Sequence, residues 1–185
     1  GDAVGSMLAA RRLLHGLGVQ TVFCVLDNPS AHAYTWLPGA SEIVAPEEVR
    51  TWPGTVLLLD ASRKSRLGRV ENHLPENMRL LVLDHHVEEE PDGDMLLVDP
   101  TYAATGEIIA ELFERSGIPI DKETALCLYV AIATDTGGFR YASTTARSHR
   151  FAARMLEAGV DAAEVSQRCF DAMSPAKFLL MARIL

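Results

Sequence analysis

Apolar residues occur in short uninterrupted runs along the first half of the chain, and polar residues follow each run. The clearest runs cover residues 55–60 and 80–83, and their consecutive apolar side chains predict strands that are buried on both faces. A run rich in β-branched residues predicts a strand over 19–26. Shorter runs predict strands over 42–45 and 95–98.

Apolar residues at helical spacing predict helices between and after these strands. The first predicted helix runs from residue 7 onward, with Gly5 and Ser6 at its start and Gly16 or Gly18 at its end. The others cover residues 104–116, 122–134, 145–158, 162–171 and 176–185. Gly117 and Pro119 separate the second helix from the third. Residues 139–141 are expected to be extended. Helices that alternate with doubly buried strands are typical of the α/β class, in which a mainly parallel sheet is flanked by helices.

The composition indicates which classes of binding partner are expected. With 185 residues, the chain is long enough for one domain with a substantial core. Its net charge of −8 disfavours binding of long nucleic acids, although a nucleotide could bind if a metal ion supplied positive charge. The longest apolar runs are much shorter than the roughly 20 residues of a membrane span, so no membrane partner is expected. The three cysteines are far apart, which predicts reduced thiols and a cytoplasmic setting.

The stretch Asp84-His85-His86 follows the strand over 80–83 without a break. The carboxyl ends of parallel strands form the edge at which open α/β sheets bind ligands. A single histidine is usually a surface or core residue, but two histidines and an aspartate at the end of a buried strand favour metal ligation. This stretch is therefore the centre of the candidate site.

Other aspartates stand in comparable positions. Asp60 closes its strand, Asp135 closes another apolar run, and Asp2 lies at a turn flanked by glycines. Carboxylate oxygens and imidazole nitrogens without thiolates favour Mn²⁺ or Mg²⁺ over zinc. Several carboxylates around two divalent ions are typical of phosphoester cleavage, in which metal-bound water becomes hydroxide near neutral pH.

Each of these residues also has a simpler interpretation. An aspartate at the end of a strand often caps the following helix, and this applies to Asp2 and Asp60 taken singly. Arg140, close to Gly138, is either a phosphate-binding residue or one half of a surface ion pair. The basic run over 63–66 is either a solvated face or part of the binding surface for an anionic substrate.

Four segments in order resemble the motifs of the DHH phosphoesterase superfamily. Residues 1–6 resemble the second half of the first motif, residues 55–60 the second, and residues 83–86 are the third motif intact. Residues 131–141 resemble the fourth motif. This last segment and residues 104–107 are most similar to the branch of bifunctional oligoribonuclease and 3′-phosphoadenosine 5′-phosphate phosphatases. The resemblance spans nearly the whole chain.

The resemblance implies a role for each motif residue. The metal ligands that it implies are Asp2, Asp60, His85 and Asp135. Asp60 would also bridge to a second ion, so two Mn²⁺ ions are expected in the complete enzyme, with Mg²⁺ as the alternative. His86 and Asp84 are the expected catalytic residues, with His86 facing the substrate phosphate and Asp84 orienting either its histidine neighbour or the metal-bound water. Arg140 and Thr136 are expected to hold the phosphate together with His86.

The chain also departs from the family pattern. The histidine and the first aspartate of the first motif would lie before Gly1, and the Gly-Gly-Gly-His-type motif of the family's C-terminal domain does not occur in the sequence. Residues 1–185 are therefore expected to form the catalytic domain without its first strand and without the substrate-binding domain. On this interpretation, the activity of the 185-residue chain is expected to be severely reduced.

The function expected from the resemblance is hydrolysis of short oligoribonucleotides, of the 3′-phosphate of 3′-phosphoadenosine 5′-phosphate, or of both. The alternatives are an inorganic pyrophosphatase or a cyclic-dinucleotide phosphodiesterase of the same superfamily, and a non-catalytic nucleotide- or metal-binding module. A short RNA or a nucleotide is the expected substrate, and the resemblance alone suggests a homodimer.

Overall fold

The apolar runs form parallel strands at all five predicted places. The computed structural model describes residues 1–30 and 33–171. The strands are β1 (Cys24–Val25), β2 (Ile43–Val44), β3 (Thr55–Leu59), β4 (Arg79–Asp84) and β5 (Met95–Val98). The strand predicted over 19–26 is reduced to β1, because only Cys24 and Val25 pair with β2 and the preceding residues are mostly exposed.

The described strands form two parallel sheets. One contains β1 and β2, and the other has the order β3-β4-β5. On one face of the larger sheet, Leu57, Leu59 and Leu83 pack against the main core. On the opposite face, Leu58 and Val82 belong to a second, smaller cluster. Apolar clusters thus lie on both faces of this sheet, although β5 is largely exposed. The parallel strands and the helices packed against them confirm the prediction of a mainly parallel sheet flanked by helices.

The helices lie close to their predicted positions. They are α1 (Asp2–Gly16), α2 (Thr105–Ser116), α3 (Lys122–Asp135), α4 (Ala146–Glu157) and α5 (Ala162–Ser166). Short 3-10 segments cover Ala40–Glu42, Pro46–Glu48 and Lys64–His73, and α5 continues into a π-helical turn at Gln167–Asp171. The helix predicted over 176–185 lies outside the described residues.

Helix α1 begins earlier than the apolar spacing predicts. The apolar spacing predicts a helix from residue 7 onward with Gly5 and Ser6 at its start, whereas the helix begins at Asp2. Small residues in its first turns allow α1 to lie directly against α3. A Cβ atom on Gly5 would come within 2.4 Å of the carbonyl oxygen of Cys127. This close crossing brings the first turn of α1 to the end of α3.

The segment after α3 is a tight turn, so the prediction that residues 139–141 are extended is wrong. Gly137, Gly138 and Phe139 have φ values of 58°, 70° and 64°. The backbone amides of Arg140 and Tyr141 both donate to the carbonyl of Thr136, at 2.9 and 3.0 Å. The two glycines adopt left-handed backbone at no steric cost, and Phe139 has the same conformation. The chain therefore folds back over the end of α3.

No helix within residues 1–30 and 33–171 is long and apolar enough to cross a membrane. The carboxyl ends of β3 and β4 meet three helix ends: the starts of α1 and α2 and the end of α3. This meeting point is where the candidate site lies.

Candidate metal centre

Four elements contribute acidic or imidazole groups to one cluster. The residues whose donor atoms all lie within 4.8 Å of one another are Asp2, Asp60, His85 and Asp135. Nε2 of His85 is at the centre of this cluster. It lies 3.0 Å from Oδ2 of Asp135, 3.5 Å from Oδ1 of Asp60 and 3.7 Å from Oδ2 of Asp2.

The imidazole of His85 is held among carboxylates in a largely buried position. Its Nε2 atom is buried and has no hydrogen-bond partner of good geometry among the described residues. Burial lowers the pKa of His85, but the contacts with Asp135, Asp60 and Asp2 outweigh this effect and raise that pKa to about 10. A proton or a metal cation at Nε2 compensates the surrounding negative charge, and a metal would take the place of the proton.

Asp2 is almost completely buried, with 1% of its surface exposed. Its Oδ1 accepts hydrogen bonds from Ser6 Oγ at 2.7 Å and from the amide of Gly106 at 2.9 Å. Oδ2 accepts from the amide of Thr105 at 2.6 Å. Burial raises the pKa of Asp2 well above its usual value, and the charges of Asp60 and Asp135 raise it further. Asp2 therefore contacts the start of α2 as well as the cluster.

Asp60 follows β3 in an unusual backbone conformation. Its φ is 59°, in the left-handed region that residues with a side chain rarely adopt. Its amide still donates to the carbonyl of Leu83 at 3.1 Å, which continues the pairing with β4. Such conformations cost about 1–3 kcal/mol and concentrate at functional sites. The conformation places the carboxylate beside His85.

Asp84, the last residue of β4, directs its carboxylate to His86 and Ser62. Oδ1 accepts from Nδ1 of His86 at 2.8 Å and from the amides of His85 and His86 at 2.8 and 3.2 Å. Oδ2 accepts from the hydroxyl of the buried Ser62. Burial raises the pKa of Asp84, but the hydrogen bonds from Ser62 and His86 outweigh it, so the pKa lies below its usual value. Asp84 thus fixes the ring of His86 rather than that of His85.

His86 is the more accessible of the two histidines. Its side chain is 46% exposed, whereas that of His85 is 13% exposed. The two rings lie 4.3 Å apart between centroids. Asp60, Asp84, His85 and His86 also offer donor atoms within 4.8 Å of one another, so His86 borders the same cluster.

The turn after α3 carries the predicted phosphate-binding residues. Arg140 is exposed, its Nε donates to the carbonyl of Gly137 at 2.6 Å, and its guanidinium carbon lies 5.9 Å from the ring centroid of Phe170. Thr136 is fully buried. Its hydroxyl donates to the carbonyl of Ile132 at 2.7 Å and accepts from the amide of Phe139. The hydroxyl of Thr136 is therefore used within the turn that presents Arg140.

The basic run over 63–66 is partly engaged in ion pairs. Arg63 pairs with Glu88 at 2.8 Å and lies 3.7 Å from Glu90. The amide of Lys64 donates to Oδ2 of Asp92 at 2.8 Å. These contacts join the segment after β3 to the acidic loop that follows the two histidines.

Sequence reasoning missed the groups that support the cluster. They are Ser6, Ser62, Thr105 and Gly106. Ser6 lies one helical turn after Asp2, a spacing that could have suggested it. The others contact their carboxylates across long sequence separations, and no local pattern indicates those contacts.

The donor set fits a hard divalent cation. Carboxylate oxygens and one imidazole nitrogen converge, and the described part of the cluster contains no thiolate. The buried Nε2 of His85 is directed at these carboxylates without a hydrogen bond of its own. Together, the parallel sheet and this group of donors at its carboxyl edge define an α/β domain with a candidate divalent-metal centre.

A comparison with protein families agrees with this description. Residues 1–132 match the family described as "DHH family, N-terminal domain". The chain belongs to this family.

Curated relatives extend the similarity over nearly the whole chain. The chain is 34% identical over 185 residues to the bifunctional oligoribonuclease and PAP phosphatase NrnA of Thermus thermophilus, covering all of this chain and 55% of that protein. It is 26% identical to the protein of the same name from Bacillus subtilis, over 92% of this chain and 53% of the relative. The chain thus spans about half the length of these relatives.

Two crystal structures share the fold. An exopolyphosphatase-related protein from Bacteroides fragilis superposes with a TM-score of 0.88 at 24% identity, over 99% of this chain and 56% of that one. A putative family II inorganic pyrophosphatase from Methanococcus jannaschii gives a TM-score of 0.50 at 19% identity, over 86% of this chain and 49% of that one. At these identities the likeness concerns the fold alone.

Proposed function

We propose that this chain carries the catalytic centre of a metal-dependent phosphoesterase that acts on short oligoribonucleotides and on the 3′-phosphate of 3′-phosphoadenosine 5′-phosphate. The observation that carries the proposal is the convergence of Asp2, Asp60, His85 and Asp135 on one point. The names of the two NrnA relatives support the substrate class.

In this proposal, one divalent ion, Mn²⁺ or Mg²⁺, would be held by Asp2, Asp60, His85 and Asp135. Asp60 would also serve a second ion. The metal, when bound, lowers the pKa of water and neutralises phosphate oxygens. Hydrogen bonds from neighbouring residues keep Asp2 and Asp60 in place, so that little reorganisation is needed when substrate binds.

His86 is proposed to contact the phosphoryl group or to protonate the leaving oxygen. Because Nδ1 donates to Asp84, Nε2 is the ring nitrogen left for substrate. In the imidazolium form Nε2 also carries a proton, which it could give to the leaving oxygen, and the ring would then be left neutral with its remaining proton on Nδ1. Its exposure allows a ligand to reach the ring. Arg140 is proposed to bind the phosphate side of the substrate, and Thr136 to hold the turn on which Arg140 lies.

The direct test measures phosphate release from 3′-phosphoadenosine 5′-phosphate and nucleotide release from a short RNA, with Mn²⁺, with Mg²⁺ and with a chelator. The assay uses the 185-residue chain, with the relative from Thermus thermophilus as the positive control. We expect metal-dependent release from at least one substrate. Pyrophosphate serves as a third substrate, and its hydrolysis without release from either nucleotide substrate would point to a pyrophosphatase.

Asp60→Ala and His85→Ala are expected to abolish this activity, because each removes a ligand atom from the candidate metal centre. His15→Ala is the matched control, since His15 is exposed at the opposite end of α1 from Asp2. It should keep the activity of the unmodified chain. Unchanged turnover in His85→Ala would exclude the proposed centre.

A further inference from the structure

Thr105, the first residue of α2, contacts two carboxylates of the candidate metal centre. Its backbone amide donates to Oδ2 of Asp2 at 2.6 Å. Its hydroxyl lies 3.4 Å from Oδ1 of Asp60 and donates to it. Thr105 is completely buried, so water does not compete for these contacts. One residue therefore joins the first turn of α1 to the end of β3.

The surrounding residues hold the start of α2 in place. The amide of Gly106 donates to Asp2, and a Cβ atom on Gly106 would lie 2.6 Å from Cβ of Ala131 in α3. Glycine at this position lets α2 approach both α3 and Asp2. Glu107 is completely buried and accepts a hydrogen bond from the amide of Ala103, which fixes the entry of the chain into the helix.

The first amides of α2 have no helical acceptor of their own. The residue before Thr105 is Ala104, whose side chain cannot cap a helix. Asp2 supplies the missing acceptor from a different helix, across 103 residues of sequence. The positive end of α2 also stabilises negative charge at this point. Asp2 is consequently oriented by α2 while its carboxylate remains beside His85.

We propose that Thr105 is a positioning residue for the metal centre: its amide orients Asp2, its hydroxyl orients Asp60, and together they set the spacing of two carboxylates that bind a hard divalent cation. The inference rests on the proposed function, because it assigns a supporting role to a residue behind the proposed ligands. Groups that orient metal ligands typically contribute about 10- to 100-fold to metal affinity.

The test measures Mn²⁺ binding by isothermal titration calorimetry without substrate. Thr105→Val removes only the hydroxyl, and we expect it to weaken Mn²⁺ binding by about 10-fold or more. Thr105→Ser keeps the hydroxyl and should restore the affinity of the unmodified chain. Thr105→Pro also removes the amide donor, at a position where helices accept proline and after a residue that is already extended, with φ −161° and ψ 151°. It should bind Mn²⁺ more weakly than Thr105→Val.

Thr124→Val is the matched control. Thr124 is also a buried threonine in the first turn of a helix, but it lies at the start of α3, and Asp135 at the other end of that helix is the nearest cluster residue in sequence. Circular dichroism melting of every variant reports folding. Equal weakening of Mn²⁺ binding in Thr105→Val and Thr124→Val would overturn the proposal, because the effect would then follow general destabilisation.

A second readout separates a positioning role from a structural one. In the active protein, Thr105→Val should raise the Mn²⁺ concentration needed for half-maximal activity, while kcat at saturating Mn²⁺ changes less. Suppose that the unmodified chain binds Mn²⁺ and hydrolyses nucleotide. Unchanged Mn²⁺ affinity in Thr105→Val would then overturn the role of Thr105 and leave the proposed function intact. Absence of Mn²⁺ binding by the unmodified chain would overturn the proposed metal centre and this inference with it.

Discussion

Residues at the candidate metal centre are of two kinds: those whose ligand atoms converge on one point, and those that orient these ligands. Asp60 adopts a left-handed backbone conformation beside His85, and Asp84 directs its carboxylate to His86 instead. Two adjacent histidines in the sequence therefore have different surroundings. The ring of His85 is among carboxylates, whereas the ring of His86 is exposed and held by one carboxylate. This difference supports separate roles in metal binding and substrate contact.

Ser62→Ala tests the support of His86 by Asp84. The hydroxyl of Ser62 donates to Asp84 in a buried position, and its loss leaves a carboxylate oxygen without that partner. We expect the free energy of unfolding to fall by about 1–3 kcal/mol. Activity should also fall, with Mn²⁺ affinity nearly unchanged, because Asp84 does not contact the ring of His85. Urea unfolding, calorimetry and steady-state kinetics measure the three quantities.

Ser116→Ala is the control for this variant, since the hydroxyl of Ser116 bonds to the carbonyl of Phe113 within its own helix. It should change none of the three quantities appreciably. A Ser62→Ala variant with unchanged stability and activity would argue against the role assigned to Asp84.

Among the elements, the crossing of α1 and α3 has the greatest consequence for the site. Asp2 begins α1 and Asp135 ends α3, so the distance between these helices sets the distance between two carboxylates. Gly5 makes the close approach to α3. The start of α2 is the third contributor, because its amides hold Asp2.

Gly5→Ala should force α1 and α3 apart. The new Cβ would lie 2.4 Å from the carbonyl oxygen of Cys127, which belongs to the backbone and cannot rotate away. Overpacking of this kind costs about 1–3 kcal/mol of unfolding free energy. We also expect weaker Mn²⁺ binding, because Asp2 moves relative to Asp135. Urea unfolding and calorimetry provide the measurements.

Gly54→Ala is the matched control, because a Cβ on Gly54 meets no atom within 4 Å and its φ is not in the left-handed region. Its unfolding free energy should stay close to that of the unmodified chain. Equal stability of the two variants would contradict the close crossing of α1 and α3.

At the scale of the whole molecule, metal binding and folding are coupled. The proposed ligands come from the starts and ends of elements across the sequence, so they converge only when the chain is folded. A cation that binds the folded state alone stabilises that state. The carboxylates that gather around His85 without a metal repel one another, which makes this stabilisation larger than for a surface site.

Mn²⁺ should therefore raise the melting temperature of the chain. At a concentration 100 times the dissociation constant, the expected gain is about 2.7 kcal/mol, or roughly 5–10 °C for a chain of this size. Differential scanning calorimetry with Mn²⁺ and with a chelator measures the shift. His85→Ala should lose most of it and His15→Ala should keep it. The same shift in both variants would place Mn²⁺ elsewhere on the protein.

The sequence by itself determined where the strands lie, their class of sheet and the stretch on which the site is centred. Consecutive apolar residues at 56–59 and 80–83 indicate a sheet with apolar contacts on both faces, and the polar residues that follow them lie at its carboxyl edge. The resemblance of the motifs to a known family then indicated which residues belong together. The structure brings four of them, Asp2, Asp60, His85 and Asp135, within 4.8 Å of one another, and their roles stay predictions.

The tertiary structure decided what depends on contacts between distant parts of the chain. These include the short length of β1, the left-handed turn at Phe139, the engagement of Thr136 within that turn, and the contacts of Thr105 with Asp2 and Asp60. A strand forms only where a neighbour is available, and an aspartate finds its donors only after helices have packed. Local sequence patterns report propensity and burial, whereas these features follow from packing among residues up to 104 positions apart.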